Sequence, residues 1–211
     1  MTYPEVLHRM IIKGEPDRVH AILNYIKGRP GDNELFDLNS SIPMPECIKI
    51  TAEIEGLGSI IEMYGESEVK AYKERCAAAE QRCLVETGFP GWYEWPLALW
   101  DTPWNVYGVR FYAPDMLFFR SAGMIPFSPL LELSRIFPDV VIHVDYANED
   151  GGSRGHVVFA DGVGCSERFS PNSTAGEEVW EGLKGCADMN TEGCVFRCDD
   201  EDDWPSVIYV D

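Results

Sequence analysis

Basic residues are scarce in this chain of 211 residues, which has 17 Lys and Arg against 36 Asp and Glu and a formal net charge of −19 at pH 7. A protein that binds nucleic acid or anionic lipid neutralises phosphates with clustered Lys and Arg. This chain would repel both polyanions, so its composition argues against direct binding to either. A surface of this charge instead suits a partner whose own surface is basic.

Long apolar runs are absent too. No stretch reaches the roughly 18–20 apolar residues that span a bilayer, and the first residues, MTYPEVLHRM, lack the charged-then-apolar pattern of a signal peptide. We therefore expect a cytoplasmic protein that does not bind membranes. The hydrophobic content of 45% is enough for the core of one elaborated domain.

Sequence motifs of catalysis are also missing. The chain has no G-x-S-x-G nucleophile motif. Asp161-Gly162-Val163-Gly164 is only a fragment of a nucleotide loop, because no Lys-Ser/Thr follows it, and it is better interpreted as a turn. We expect a protein without catalytic residues.

The cysteines do not form a recognisable metal site. There are seven of them, an odd number that suits free thiols in a reducing cytosol, and no paired C-x2-C set accompanies the C-x3-C spacing of Cys194 and Cys198. We expect no metal and no cofactor. His143, Asp145 and His156 leave one alternative, a two-His-one-carboxylate site, which requires a strand register that places both histidines on one face of the sheet.

Hydrophobic periodicity predicts alternating strands and helices. Residues 5–13 alternate with period two, placing Val6, His8, Met10 and Ile12 on one side and Leu7, Arg9 and Ile11 on the other. A helix follows from Glu15-Pro16-Asp17, a second spans 66–87, and a third begins at Ser128-Pro129. The remaining predicted elements are a short helix at Leu97 to Trp100 and strands at 106–112, 116–122, 140–146 and 155–160.

This order predicts an α+β fold, a ferredoxin-like antiparallel sheet with helices on one face. The predicted domain covers residues 1–160, with a helical insertion at about 46–104, and an acidic C-terminal extension at 161–211 packs on it. Four of the six tryptophans lie between Gly91 and Tyr112, a segment that we interpret as a folding anchor. In the extension, Thr174 has capping-box spacing to Glu177 and can cap a helix, and residues 204–210 should form a terminal strand.

Several short motifs resemble a known family. Phe36-Asp37-Leu38-Asn39, Ile42-Pro43-Met44-Pro45-Glu46, Trp100-Asp101-Thr102-Pro103-Trp104-Asn105 and Phe137-Pro138-Asp139 are together similar to the YubB-type ferredoxin-like proteins of phages and conjugative plasmids. The resemblance covers roughly residues 5–160. It implies the ferredoxin-like fold and a mobile-element origin, and it transfers no catalytic residue.

The acidic extension is the best candidate for a binding site. We expect partner contacts from Glu177, Glu178, Glu181, Asp199, Asp200, Glu201, Asp202 and Asp203. The leading hypothesis is a non-enzymatic phage or plasmid protein that binds and inhibits a basic nucleic-acid-handling host protein, such as a restriction or CRISPR effector, by imitating nucleic acid.

Two other classes of function stay open. One is a small-ligand-binding or metal-dependent enzyme that uses Trp100, Trp104 and Tyr107 as pocket walls with His143 nearby. The other is a non-catalytic scaffold that oligomerises through the 66–87 helix, whose apolar stripe is narrow. The sequence leaves the oligomeric state undetermined.

Overall fold

A computed structural model of the chain describes residues 3–28, 35–61 and 65–187. The strands are β1 (Glu5–Lys13), β2 (Tyr107–Ala113), β3 (Met116–Ala122), β4 (Val141–Asn148), β5 (Arg154–Ala160) and β6 (Val163–Phe169). The helices are α1 (Pro16–Tyr25), α2 (Glu46–Gly56), α3 (Gly58–Ile61), α4 (Glu66–Thr87), α5 (Glu94–Leu99), α6 (Phe127–Ile136) and α7 (Thr174–Ala187). Within the described residues, no helix is both long and apolar enough to cross a membrane.

The strands form one antiparallel sheet with the order β2-β3-β1-β4-β5-β6. The first four strands in this order, with α1 and α6 as the connecting helices, have the ferredoxin-like arrangement, so the predicted fold class is confirmed. The sheet continues beyond residue 160, where the predicted extension begins, because β6 pairs with β5 along its whole length. Asp161-Gly162 is the turn between these two strands.

The main core lies on one face of the sheet, here called the first face. Met10 and Ile12 of β1 pack there with Ile22 of α1 and Leu130 and Leu133 of α6. The opposite, second face carries Leu7, Arg9 and Ile11 of β1, as the period-two pattern predicts. Helix α7 covers part of this face. The C-terminal extension thus adds a helix on the side of the sheet opposite α1 and α6.

The insertion contains an antiparallel pair of helices. Residues 66–87 form α4 as predicted, and its stripe faces α2: Cys83 is fully buried, and Cys76 and Ala79 border a small gap with Thr51 and Ile54. The stripe is therefore used for packing inside the chain. The sequence interpretation did not identify α2, because the prolines before Glu46 resemble a continuing loop.

The tryptophan segment is a core anchor in part. Trp95 and Trp100 are buried and meet edge to face with ring centroids 5.4 Å apart. The Trp100 indole N–H donates to the carbonyl oxygen of Ile42 at 2.9 Å, which ties the end of the insertion to the segment that precedes it. Trp104, in contrast, is 42% exposed. The short helix begins at Glu94 rather than at Leu97.

The motif residues form a polar network that joins the segment before the insertion to the start of β2. Asn105, just before β2, donates from Nδ2 to Asp37 Oδ1 at 2.6 Å, and its Oδ1 accepts from the backbone N–H groups of Leu38 and Val106 at 3.0 and 2.9 Å. The same Asp37 oxygen accepts from the backbone N–H of Asn39 at 2.9 Å. The motifs therefore have a structural role, because their polar groups satisfy one another where the chain enters the sheet.

Replacing Asn105 should destabilise the fold. We expect Asn105→Ala to lower the free energy of unfolding by about 3 kcal/mol, because it removes three hydrogen bonds and leaves part-buried groups unpaired. Asn24→Ala is the matched control, since Asn24 is exposed on α1, and it should change stability by less than about 0.5 kcal/mol. Urea unfolding monitored by tryptophan fluorescence measures both, and equal effects would contradict this role.

A histidine is buried in the first-face core. His8 is fully buried, stacks on Phe119 with centroids 4.6 Å apart, and its Nε2 lies 2.7 Å from Ser121 Oγ. The Ser121 hydroxyl donates its proton to the carbonyl of Met124 at 2.6 Å, so Nε2 of His8 carries the hydrogen and donates to Oγ. Burial lowers the pKa of His8 to about 3, so the ring is neutral.

This histidine should make stability depend on pH. As pH falls below the unfolded-state pKa of 6.5, the unfolded chain binds a proton that folded His8 does not, so the free energy of unfolding falls until pH reaches about 3. Between about pH 7.5 and 5.5 this group alone should remove about 1.4 kcal/mol. Urea midpoints across that range should fall less steeply for His8→Gln, whereas the exposed His20→Gln control should keep the full slope.

Candidate functional site: the second face of the sheet and helix α7

Helix α7 is capped one residue earlier than predicted. Ser173 Oγ, rather than the Thr174 side chain, accepts a hydrogen bond from the Gly176 N–H at 3.1 Å. The prediction that Thr174 caps the helix is therefore wrong, because Ser173 occupies the flanking position from which a side chain reaches the first-turn amide groups. Leu183 and Cys186 of the helix are buried against the sheet.

Arg154 holds the start of α7 against β5. Its Nη1 donates to the carbonyl oxygens of Pro171 and Gly176 at 2.8 and 3.2 Å and lies 3.4 Å from Glu177 Oε1. Its guanidinium carbon is 5.2 Å from the centroid of the Trp180 ring. A side chain that is only 9% exposed thus combines carbonyl, carboxylate and aromatic partners.

The structure describes three of the eight predicted partner-binding residues. Glu177 is half-exposed and pairs with Arg154, so its charge is partly neutralised within the chain. Glu178 and Glu181 are exposed, three residues apart on α7. Asp199, Asp200, Glu201, Asp202 and Asp203 lie outside the described residues, as does the predicted terminal strand.

Beyond α7, the second face carries a row of polar side chains. Asp145 pairs with His156 across β4 and β5 and with Arg9 across β4 and β1. Asp145 Oδ1 accepts from His156 Nδ1 at 2.9 Å, and Oδ2 accepts from Arg9 Nε at 3.0 Å and Nη2 at 2.5 Å. The rings of His143 and His156 stack with centroids 5.6 Å apart. The row is therefore joined by direct contacts from β1 to β5.

These contacts set the charge of the row. Burial alone would raise the pKa of Asp145, but the hydrogen bond from His156 and the charge of Arg9 outweigh burial and hold it below its usual range. Burial, with the neighbouring His156, lowers the pKa of His143 to about 4. Asp145 is thus an anion held by cationic and polar donors at neutral pH.

The strand register brings the two histidines together. Asp145 faces His156, so His143, Asp145 and His156 all point to the second face. The geometric condition for the alternative metal site is met, yet among the described residues no group of three or more His, Cys, Asp or Glu is arranged to hold a metal ion. The Asp145 carboxylate is instead engaged by His156 and Arg9.

The tryptophan segment and His143 do not form one pocket. Trp100 is buried in the first-face core, whereas His143 lies on the second face. The pocket predicted from Trp100, Trp104, Tyr107 and His143 is therefore wrong, because the sheet separates two of its members. Arg9 and Arg154 were missed as site residues; the signal that could have identified Arg9 is the apolar character of β1 on both sides, which indicates a sheet covered on both faces.

No family model and no curated protein matches this chain. Among solved structures, it is similar to the crystal structure of a protein api92 from Yersinia pseudotuberculosis, assigned to the family model DUF1281. The two are 11% identical, with a TM-score of 0.46, and the match covers 80% of this chain and 98% of that one.

Two Arg–Asp pairs allow a direct test of the polar row. Asp145→Asn removes the charge that Arg9 and His156 share in a mostly buried site, and we expect it to lower the free energy of unfolding by about 3 kcal/mol. Asp139→Asn is the control. Its pair with Arg18 has the same chemistry but is 42% and 48% exposed, so the loss should be much smaller because solvent screens the pair. Chemical unfolding at neutral pH measures the free energy of unfolding of both variants. If the two variants lose a similar amount, the buried position of Asp145 does not make its ion pair more important for stability.

Proposed function

We propose that this is a non-enzymatic protein of a phage or plasmid that binds and inhibits a basic nucleic-acid-handling host protein, such as a restriction or CRISPR effector, by imitating nucleic acid. The mobile-element setting rests on the resemblance of the sequence motifs to the YubB-type proteins. The proposed imitation of nucleic acid rests on the net charge of −19. In this proposal the fold is a scaffold, and the exterior carboxylates perform the function.

The proposal is supported chiefly by the pairing of Arg and Lys side chains with carboxylates of the same chain. Nine Arg and Lys side chains of the described residues form ion pairs within the chain, each with a different carboxylate. Because the acidic residues outnumber the basic ones by 36 to 17, pairing the cations internally leaves a surface dominated by unneutralised carboxylates. A basic groove would be attracted to such a surface over several ångströms.

Two of the exposed carboxylates lie on helix α7. Glu178 and Glu181 are neighbours on one exposed side, with Cβ atoms about 5–6 Å apart for residues at this helical spacing. Arg154 fixes the first turn through the Pro171 and Gly176 carbonyls. A rigid carboxylate array loses little conformational entropy when a partner binds.

The partner can be sought among proteins that bind nucleic acid. The tagged full-length protein should capture from a heparin-bound fraction of host lysate a protein that also binds DNA or RNA, and duplex DNA or RNA should compete with the capture. Raising the salt from about 50 to about 300 mM should release it, because the attraction between surface charges is screened. Capture that persists at high salt and resists competition by nucleic acid would contradict the proposal.

Charge reversal tests which carboxylates matter. We expect Asp199, Asp200, Asp202 and Asp203 changed together to Lys to abolish capture, and Glu178→Lys with Glu181→Lys to weaken it at least tenfold at low salt. The matched control is Glu66→Lys with Glu68→Lys, which makes the same charge change on exposed positions of α4. Equal losses in the control would show that only net charge matters, and undiminished binding in the first variants would exclude the acidic extension as the interface.

A further inference from the structure

An exposed aromatic corner lies where β1 begins and β3 ends. Trp104 is 42% exposed and Met124 is 61% exposed. The ring of Tyr3 meets Trp104 edge to face, with centroids 5.7 Å apart and planes at 86°, and its hydroxyl is hydrogen-bonded to that of Tyr93. The Tyr3 ring also lies close to Gly123, the residue before Met124, where an added Cβ would come within 3.1 Å of Tyr3 Cδ1. Tyr3, Trp104 and Met124 are called the aromatic corner below.

The backbone around Trp104 is fixed on both sides. Asp101 has a φ of 61°, in the left-handed region, and its Oδ2 accepts from the Ser128 N–H at 2.7 Å. Thr102 is fully buried and donates to the carbonyl of Ala122 at 3.1 Å. Asn105 is held by the network to Asp37. The exposed indole is therefore presented by a rigid segment, which reduces the entropy that binding would cost.

The residues around the corner include two carboxylates, of which Glu5 is paired with Arg120 and Glu94 is exposed. Glu5, two residues after Tyr3, accepts from the Tyr107 hydroxyl at 2.7 Å and from Arg120 Nη1 at 3.1 Å. Glu94, directly after Tyr93, is exposed at the start of α5. Trp, Tyr and Met are enriched at protein interfaces. An exposed indole on a chain of net charge −19 suits a cation, and a planar guanidinium stacks on it better than an ammonium does.

The chain already contains this kind of contact. Arg154 lies over the ring of Trp180 at 5.2 Å while Glu177 pairs with its charge. A guanidinium would meet an indole at the corner in the same way if a partner supplied the arginine.

We propose that the aromatic corner binds an arginine side chain of the basic partner, with the guanidinium over the indole of Trp104. This inference rests on the proposed function and deepens it: the exterior carboxylates supply long-range attraction that any cation satisfies, and the corner supplies a preference for arginine. A partner lysine would gain the attraction but little of the stacking.

Two peptides of equal charge separate these effects. Fluorescein-labelled nona-arginine and nona-lysine are titrated with the full-length protein, and anisotropy reports the dissociation constants. At about 50 mM salt the wild-type protein should bind the arginine peptide about fivefold more tightly, which corresponds to one stacked cation. At about 300 mM salt both affinities should fall while the ratio remains.

Variants of Trp104 identify the corner as the source of the preference. Trp104→Ala and Trp104→Leu should both reduce the ratio to about one, and the leucine variant keeps apolar packing against Tyr3 in case the alanine variant is unstable. Val85→Ala, at a residue that is 77% exposed on α4, should keep the wild-type ratio. Urea midpoints confirm that each variant is folded.

The outcomes distinguish this inference from the proposed function. If both peptides bind wild-type protein equally and salt-sensitively, or if the Trp104 variants keep the preference, the aromatic corner is overturned while the acidic-surface proposal stands. If neither peptide binds at low salt, attraction by the acidic surface is contradicted, and the inference that rests on it falls as well.

Discussion

The central strand β1 is apolar on both faces, and each layer of the structure packs against one of them. On the first face, Met10 and Ile12 meet α1 and α6; on the second, Leu7 meets α7. A strand covered on both faces does not tolerate a slip in register, because a shift of one residue would exchange the two sets of side chains. Arg9, the one charged residue between the terminal residues Glu5 and Lys13 of the strand, is accommodated by pairing with Asp145.

The charged residues of the described chain fall into two groups. Three arginines of the sheet are paired with carboxylates at close range: Arg9 with Asp145, Arg154 with Glu177, Arg120 with Glu5. Such pairs fix positions more than they add stability, since desolvation offsets much of the attraction. The remaining excess of carboxylates repels like charge and attracts basic surfaces. The fold therefore uses some carboxylates to pair its arginines, whereas the proposed function requires carboxylates that stay unpaired.

Sequence periodicity predicted the fold well and the site poorly, for physical reasons. The alternation in β1 and the α4 stripe reflect burial, which leaves a pattern along the chain. The β4–β5 register depends on the number of residues that the turn absorbs, and a shift of one residue decides whether His143 and His156 share a face. Likewise, Trp100 and Trp104 stand in similar local sequence, and only tertiary packing buries the first and exposes the second.

The position of β1 in the sheet also affects how the chain folds while the ribosome synthesises it. Its two neighbours, β3 and β4, begin at Met116 and Val141, more than a hundred residues downstream. At about 5–20 residues per second, the first strand emerges several seconds before either partner is made. During that interval a nine-residue segment, apolar on both sides, has no sheet to join. The nascent chain should therefore depend on chaperones that shield extended hydrophobic segments until translation has passed β4.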